Sequence, residues 1–162
     1  GKRTIFNLMG PLANPARVGR QLIGIARPDY APVYAAALAE LGAEAALVVS
    51  GEEGLDEVSG AGPTIAVSVG AVALPDRITP EDAGLPRHPI AAIHGGDPDY
   101  NAAALRRLLG GERGAYRDAV LLNAAAALAL DGATLPAGVA RAAEAIDSGA
   151  ANALLDRWIA WA

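Results

Sequence analysis

The chain has 162 residues, a net charge of −5 and no cysteine. The length suits one domain with a sizeable core. The absence of cysteine excludes disulfides, thiolate metal sites and a thiol nucleophile, and an acidic balance with no Lys/Arg cluster argues against nucleic acid as a main partner. Hydrophobic residues make up 52% and aromatic ones only 4%, which points to helices packed through small side chains rather than to a β-sandwich. No apolar stretch reaches the length of a membrane span and no signal-like segment opens the chain, so a soluble, cytoplasmic protein without a membrane partner is expected. The chain opens on Gly1 with its only methionine at position 9, which suggests a fragment.

Lys2 to Met9 carries Ile5, Phe6, Leu8 and Met9 on one apolar face, predicting a short helix that Gly10-Pro11 stops. After the Asn14-Pro15 loop, Gln21 to Ala26 is a compact apolar run between Arg20 and Arg27-Pro28, the form of a buried parallel strand. A helix is predicted from about Asp29 to Leu41, capped by Asp29, with Pro32 in its first turn and Val33, Ala37, Leu38 and Leu41 at helical spacing. Gly42 ends it. Ala45 to Val49 reads as a second buried strand, an interior neighbour of the first, so residues 21–49 form a right-handed β-α-β unit.

Past Gly60-Ala61-Gly62-Pro63, Thr64, Ala66 and Ser68 alternate with Ile65, Val67 and Val69 as a half-exposed strand would. Gly70 permits a turn into Ala71 to Leu74, predicting an antiparallel hairpin at the edge of an otherwise parallel sheet. Thr79-Pro80-Glu81-Asp82 is a helix-start signature kept short by Gly84-Leu85-Pro86. Asp97-Pro98-Asp99 opens a helix through Leu105, Leu108 and Leu109 to Gly110-Gly111. Ala115 to Leu130 is apolar nearly all round, which marks a central helix buried on most faces. Thr134 to Ile146 and Ser148 to Trp161 make two further helices hinged at Asp147-Ser148-Gly149. The fold class expected is α/β: a mainly parallel sheet with an antiparallel edge strand, flanked by helices, in a single domain over residues 1–162.

Directly after the second strand, Ser50 to Ser59 (Ser-Gly-Glu-Glu-Gly-Leu-Asp-Glu-Val-Ser) crowds four carboxylates into six residues. The carboxyl end of a strand is where open α/β sheets bind ligands. Carboxylates this close repel one another, a bound cation relieves the repulsion, and hard oxygen ligands suit Mg²⁺. Asp56 and Glu57 are the leading metal candidates, against the plainer reading of a solvated acidic turn. His94-Gly95-Gly96-Asp97 offers a second candidate, because glycines before a helix amino terminus can cradle phosphate. Its competitor is Asp97 as a simple helix cap. His88 and His94 are most simply loop histidines.

Gly1-Lys2-Arg3-Thr4-Ile5-Phe6-Asn7-Leu8-Met9-Gly10-Pro11-Leu12-Ala13-Asn14-Pro15 resembles the Gly-x-Arg-Thr-x-Phe-Asn-x-x-Gly-Pro-Leu-x-Asn-Pro signature of the anthranilate phosphoribosyltransferases. Leu55-Asp56-Glu57 is similar to that family's magnesium-binding Asp-Glu pair. Thr79 to Asp82 and the alanine-rich helix around Leu122-Asn123 follow in the family's order, so the resemblance covers essentially the whole chain, as the family's carboxyl-terminal part. It implies transfer of phosphoribose from phosphoribosyl diphosphate to the amine of anthranilate in tryptophan biosynthesis, releasing diphosphate. It also implies Mg²⁺ as cofactor at Asp56 and Glu57, with Gly10 and Pro11 lining the path of the aromatic substrate. No protein nucleophile is expected, in agreement with the lack of cysteine and of a Ser-His-Asp arrangement.

The family's helical amino-terminal domain and its Gly-Thr-Gly-Gly-Asp diphosphate loop are absent from these 162 residues. The family's diphosphate loop precedes its acidic pair, which counts against His94 to Asp97 as a substitute, and Arg3 is expected to be structural. The chain alone should therefore hold half an active site, be inactive by itself and self-associate through an uncovered sheet edge, whereas the full-length family forms homodimers through the helical domain. A pyrimidine nucleoside phosphorylase shares the architecture and is the alternative enzyme, separable by activity on thymidine with phosphate. From another class, a non-catalytic nucleic-acid-binding relative is disfavoured by the net charge of −5 and would be revived by a salt-sensitive DNA shift.

Overall fold

The computed structural model describes residues 9–16 and 18–161. The helix expected from Lys2 to Met9 therefore lies, apart from Met9, outside the described residues, as does Arg3. Four strands form one sheet in the order β1 (Arg20–Gly24), β2 (Ala45–Gly51), β3 (Thr64–Gly70) and β4 (Arg77–Ile78). β1 and β2 run parallel, from Arg20 opposite Ala45 to Gly24 opposite Val49. Helix α1 (Ala31–Glu40) makes the crossover between them, as the β-α-β reading requires.

The α/β class is as expected, but the sheet is mixed rather than mainly parallel. β2 pairs antiparallel with β3, from Ala45 opposite Gly70 to Gly51 opposite Thr64, and β3 pairs antiparallel with the short β4. The hairpin expected between Thr64–Val69 and Ala71–Leu74 does not form. Gly70 instead lies opposite Ala45 with a φ of +71°, and a methyl group there would stand 2.0 Å from the Glu44 carbonyl oxygen. Its glycine serves a close backbone approach, not a turn into a neighbouring strand. The physical reason is β2: all seven of its residues are buried, so its backbone groups must be paired on both sides, and β3 supplies the second side. Among the described strands β3 is thus interior, and β1 is a border strand rather than an interior one.

Strand alternation divides the core in two. Ala45, Leu47 and Val49 of β2 join Ala66, Ile78, Leu122, Ala125 and Ala126 on one face, while Ala46 and Val48 join Ile23, Ala31, Tyr34, Leu38 and Val69 on the other. The second face is covered by α1, which starts later than expected. Pro28–Tyr30 form a 3₁₀ turn, and Asp29 accepts from Arg27 Nε at 2.9 Å instead of capping the helix. The helix buries Ala31, Tyr34, Ala35 and Leu38, whereas Val33 and Leu41, expected at the core, are 63% and 66% exposed. A helix so rich in alanine leaves its rotation to a few large side chains, and here Tyr34 and Leu38, one turn apart, fix it.

The remaining helices are α2 (Pro98–Leu109), α3 (Ala115–Ala129), α4 (Leu135–Asp147) and α5 (Ala150–Trp161). The start signal at Asp97 acts as read, while the last helix begins at Ala150 rather than at Ser148. Asp97 Oδ1 accepts from the Tyr100 amide at 2.8 Å and Thr134 Oγ1 from the Ala137 amide at 3.4 Å. Thr79-Pro80-Glu81-Asp82 makes a single 3₁₀ turn, tied by the Thr79 amide donating to Asp82 Oδ2 at 2.7 Å and ended by Gly84. α3 is the central helix: Leu122, Ala125 and Ala126 are fully buried against the sheet. α5 carries an exposed apolar stripe in which Trp158 and Trp161 are 66% and 86% exposed. Among the described residues no helix is long and apolar enough to cross a membrane.

Three carboxylates, Asp29, Glu81 and Asp147, are held below the ordinary carboxylate range, each chiefly by a hydrogen bond from an arginine: Arg27, Arg87 and Arg117 respectively. A depressed folded-state pKa contributes stability that is present above the unfolded value and lost as pH falls through the folded one. The melting temperature is therefore expected to hold from neutrality to about pH 5 and to fall below about pH 4. Of the three arginines only Arg117 is buried, and its Nη1 and Nη2 each donate to Asp147 at 2.9 Å. Asp147→Asn should accordingly shallow the acid limb of a melting-temperature profile, and an unchanged limb would rule out a stabilising role for this pair.

Candidate functional site

The acidic segment is the connection between β2 and β3, clamped at its base by the Gly51–Thr64 pairing. Glu52 N donates to the Pro63 carbonyl at 3.0 Å, and Gly51 N to the Leu55 carbonyl at 2.8 Å, so the loop is folded on itself. Its four carboxylates divide two and two. Glu52 forms an ion pair with Arg77 of β4 at 2.8 Å, and Glu53 accepts the hydroxyl proton of the buried Ser59. Asp56 and Glu57 are exposed, and among the described residues neither enters a hydrogen bond or ion pair. The two candidates picked from the sequence are thus the two carboxylates left available.

The backbone beneath them is held from three sides. Gly24, the last residue of β1, approaches so closely that a methyl group on it would lie 1.6 Å from the Asp56 carbonyl oxygen. Val58, directly after Glu57, is fully buried among Leu47, Val49 and Leu122. Ser59 N donates to Thr64 Oγ1 at 2.8 Å, and Ser59 Oγ accepts from the Ala61 amide at 3.0 Å. Further along, His88 N donates to the Gly60 carbonyl at 2.9 Å while its Nε2 meets Asp118 Oδ2 of α3 at 2.7 Å. His88 is therefore a tether between loop and central helix, more than the simple loop histidine expected.

The donor set fits a hard divalent cation. Two adjacent, outward-facing carboxylates on a fixed backbone suit an ion that keeps most of its waters or takes substrate phosphates as further ligands. Among the described residues no three His, Cys, Asp or Glu side chains converge, so an all-protein cage is not offered. The second candidate, His94 to Asp97, does not make a phosphate cradle. Gly96 N donates to Asn101 Oδ1 at 2.9 Å, Gly96 O accepts from Asn101 Nδ2 at 2.9 Å, and Asp97 caps α2, so the polar backbone is already used by the helix's own first turn. An open cavity of about 300 Å³ does lie beside it, between α2 and the start of α3, but no residue of the acidic loop lines it.

Gly10 and Pro11 lie in a 3₁₀ turn, Gly10–Leu12, whose Leu12 packs with the cluster under α1, while Val58 packs in the opposite cluster. The turn and the acidic loop are thus anchored through different faces of the sheet. Asn123, which stands out in the sequence only as part of the alanine-rich helix, supports the acidic loop. The available signal was its chemistry: an amide in the middle of an otherwise apolar, buried helix must find partners. Those partners are the backbone of Val58, 65 positions away.

The sequence profile of the glycosyl transferase family, a/b domain, matches residues 1–152. The anthranilate phosphoribosyltransferase of Sphingopyxis alaskensis is 62% identical over 168 aligned residues, covering 99% of this chain and 49% of the relative. In structure, the anthranilate phosphoribosyltransferase of Thermus thermophilus matches with a TM-score of 0.89 and 45% identity, over 99% of this chain and 48% of that one. The Saccharomyces cerevisiae enzyme in complex with PRPP and Mg matches with a TM-score of 0.80 and 30% identity, over 92% of this chain and 44% of that one. The chain thus spans about half the length of the relatives it matches. An acidic strand-end loop on a mixed sheet, carried by a sequence that fits one family profile over nearly its whole length, places this chain in the glycosyl transferase family, a/b domain.

Proposed function

We propose that this chain supplies the metal-binding half of a phosphoribosyl-transfer site, acting on phosphoribosyl diphosphate and anthranilate. The observation that carries the reading is the division of the acidic loop, which leaves Asp56 and Glu57 unpaired on an anchored backbone while Glu52 and Glu53 are consumed internally. The similarity to anthranilate phosphoribosyltransferases, one of them in complex with PRPP and Mg, supports it and favours it over pyrimidine nucleoside phosphorolysis.

The reaction breaks the bond between ribose and diphosphate and forms one from ribose to the anthranilate amine. Charge builds on the departing diphosphate as the ribose becomes cation-like. Asp56 and Glu57 would hold Mg²⁺ there, and Mg²⁺ when bound offsets that charge. The protein's own part is orientation: Gly24, Val58 and Ser59 hold the backbone that carries the carboxylates, and the Gly10-Pro11 turn would border the aromatic substrate. No side chain needs to act as a nucleophile. The chain by itself is expected to hold substrates too loosely for useful turnover, because a misplacement of about 1 Å can cost about a hundredfold.

Magnesium titration of the chain, followed by amide NMR, tests the assignment. Shifts should centre on residues 55–58, and Asp56→Ala or Glu57→Ala should weaken binding about tenfold or more. An affinity unchanged in both variants would remove the metal assignment. Sustained transfer to anthranilate by the purified chain, abolished by Asp56→Ala, would contradict the half-site reading.

A further inference from the structure

We infer that Asn123 is a positioning residue for the metal pair, holding the acidic loop in register from the central helix. This rests on the reading of Asp56 and Glu57 as metal ligands. Asn123 Oδ1 accepts from the Val58 amide at 2.9 Å, and Nδ2 donates to the Val58 carbonyl at 2.9 Å and to the Ala119 carbonyl at 3.0 Å. The side chain thereby treats Val58 as a neighbouring strand would, taking both of its backbone groups. Both amide hydrogens and one oxygen lone pair are used in one orientation, and a flipped amide would set donor against donor and acceptor against acceptor at Val58.

The placement matters because of the peptide units involved. The Val58 amide belongs to the peptide bond that begins at the Glu57 carbonyl, so Asn123 fixes the plane immediately after Glu57. On the other side Gly24 packs on the Asp56 carbonyl and fixes the plane between Asp56 and Glu57. The backbone of the pair is thus restrained on both sides, while the two carboxylates keep their side-chain rotations. The same helix reaches the loop a second time through Asp118 and His88, whose amide holds Gly60. α3 therefore presents the metal pair as a unit, whereas a solvated acidic turn needs no such anchoring.

The test separates positioning from bulk stability, using the 162-residue chain with Mn²⁺ as a paramagnetic probe for the Mg²⁺ site. Broadening of the Asp56, Glu57 and Val58 amide signals gives the affinity, and urea midpoints give stability. Asn123→Leu is expected to weaken Mn²⁺ about tenfold, in the range typical when a residue orienting a metal ligand is lost. Asn123→Ala, which leaves room for water to take the freed partners, should weaken it less and serves if the leucine variant does not fold. Leu108→Ala, in the separate cluster with Leu121 and Ile146, should lower the urea midpoint without changing Mn²⁺ affinity. Asp56→Asn is the reference that should weaken binding on its own. If Asp56→Asn weakens Mn²⁺ binding and the folded Asn123 variants bind as the wild type does, the positioning role is overturned while the metal site stands. If Asp56→Asn changes nothing, the metal reading fails, and the inference with it.

Discussion

Gly24→Ala is expected to destabilise the chain by about 3 kcal/mol or more and to displace Asp56 and Glu57 at the same time. The added methyl group would sit 1.6 Å from the Asp56 carbonyl oxygen and 2.5 Å from its carbon, far inside van der Waals contact. Neither atom is the tip of a flexible side chain. β1 is tied to β2 along five parallel positions, and the loop is tied by Val58, so one of two anchored backbones must move. The gain from replacing glycine in a strand runs the other way but amounts to only about 1 kcal/mol or less, so overlap decides the sign. Urea denaturation gives the first number, and Mn²⁺ broadening at Asp56 and Glu57 gives the second. A variant within about 0.5 kcal/mol of the wild type would mean that this close approach is not made in solution.

Leu122→Ala should cost about 3 kcal/mol, the range for a large side chain removed from a packed core. Leu122 is fully buried where the central helix meets Leu47, Val49 and Ile78. The contrasting pair is on α1. Val33→Ala and Leu41→Ala should each change stability by less than about 0.5 kcal/mol, since both side chains face water. Equal losses at Leu122 and Val33 would mean that the orientation of α1 is wrong.

That contrast also marks where the sequence stops being informative. Boundaries with their own punctuation, such as Asp97-Pro98 and the Thr79-Pro80 turn, were legible because capping is decided within four residues. The β-α-β unit was legible because two apolar runs and a helix leave few ways to connect. The face of α1 was not, because its alanines fit either rotation and the choice was made by the sheet beneath Tyr34 and Leu38. The partner of β3 was not, because strand pairing is settled between distant residues, and Gly70 looks the same whether it turns a hairpin or lets Glu44 approach. At the site, Asp56 and Glu57 were the leading candidates among four carboxylates, but spacing held no physical ground for that ranking, since Arg77 and Ser59 make the division through the fold. The resemblance to a known Asp-Glu pair chose the same two that the structure leaves unpaired. The contact of Asn123 with the acidic loop was not legible because its partner, Val58, lies on another element altogether.

The outward stripe of α5 has an optical consequence. The chain's two tryptophans, Trp158 and Trp161, both lie in that final helix and both face solvent. Native emission should therefore already resemble that of tryptophan in water, and unfolding should change it little. What change in fluorescence remains would report the local surroundings of α5, while far-ultraviolet dichroism would follow the body of the fold. Midpoints from the two probes need not coincide even if the sheet and central helix unfold in a single step, and coincidence of probes is an unsuitable test of cooperativity for this chain. The acidic loop, with no tryptophan of its own, is silent to such a signal, so the metal binding proposed there has to be tested through nuclei or the ion itself.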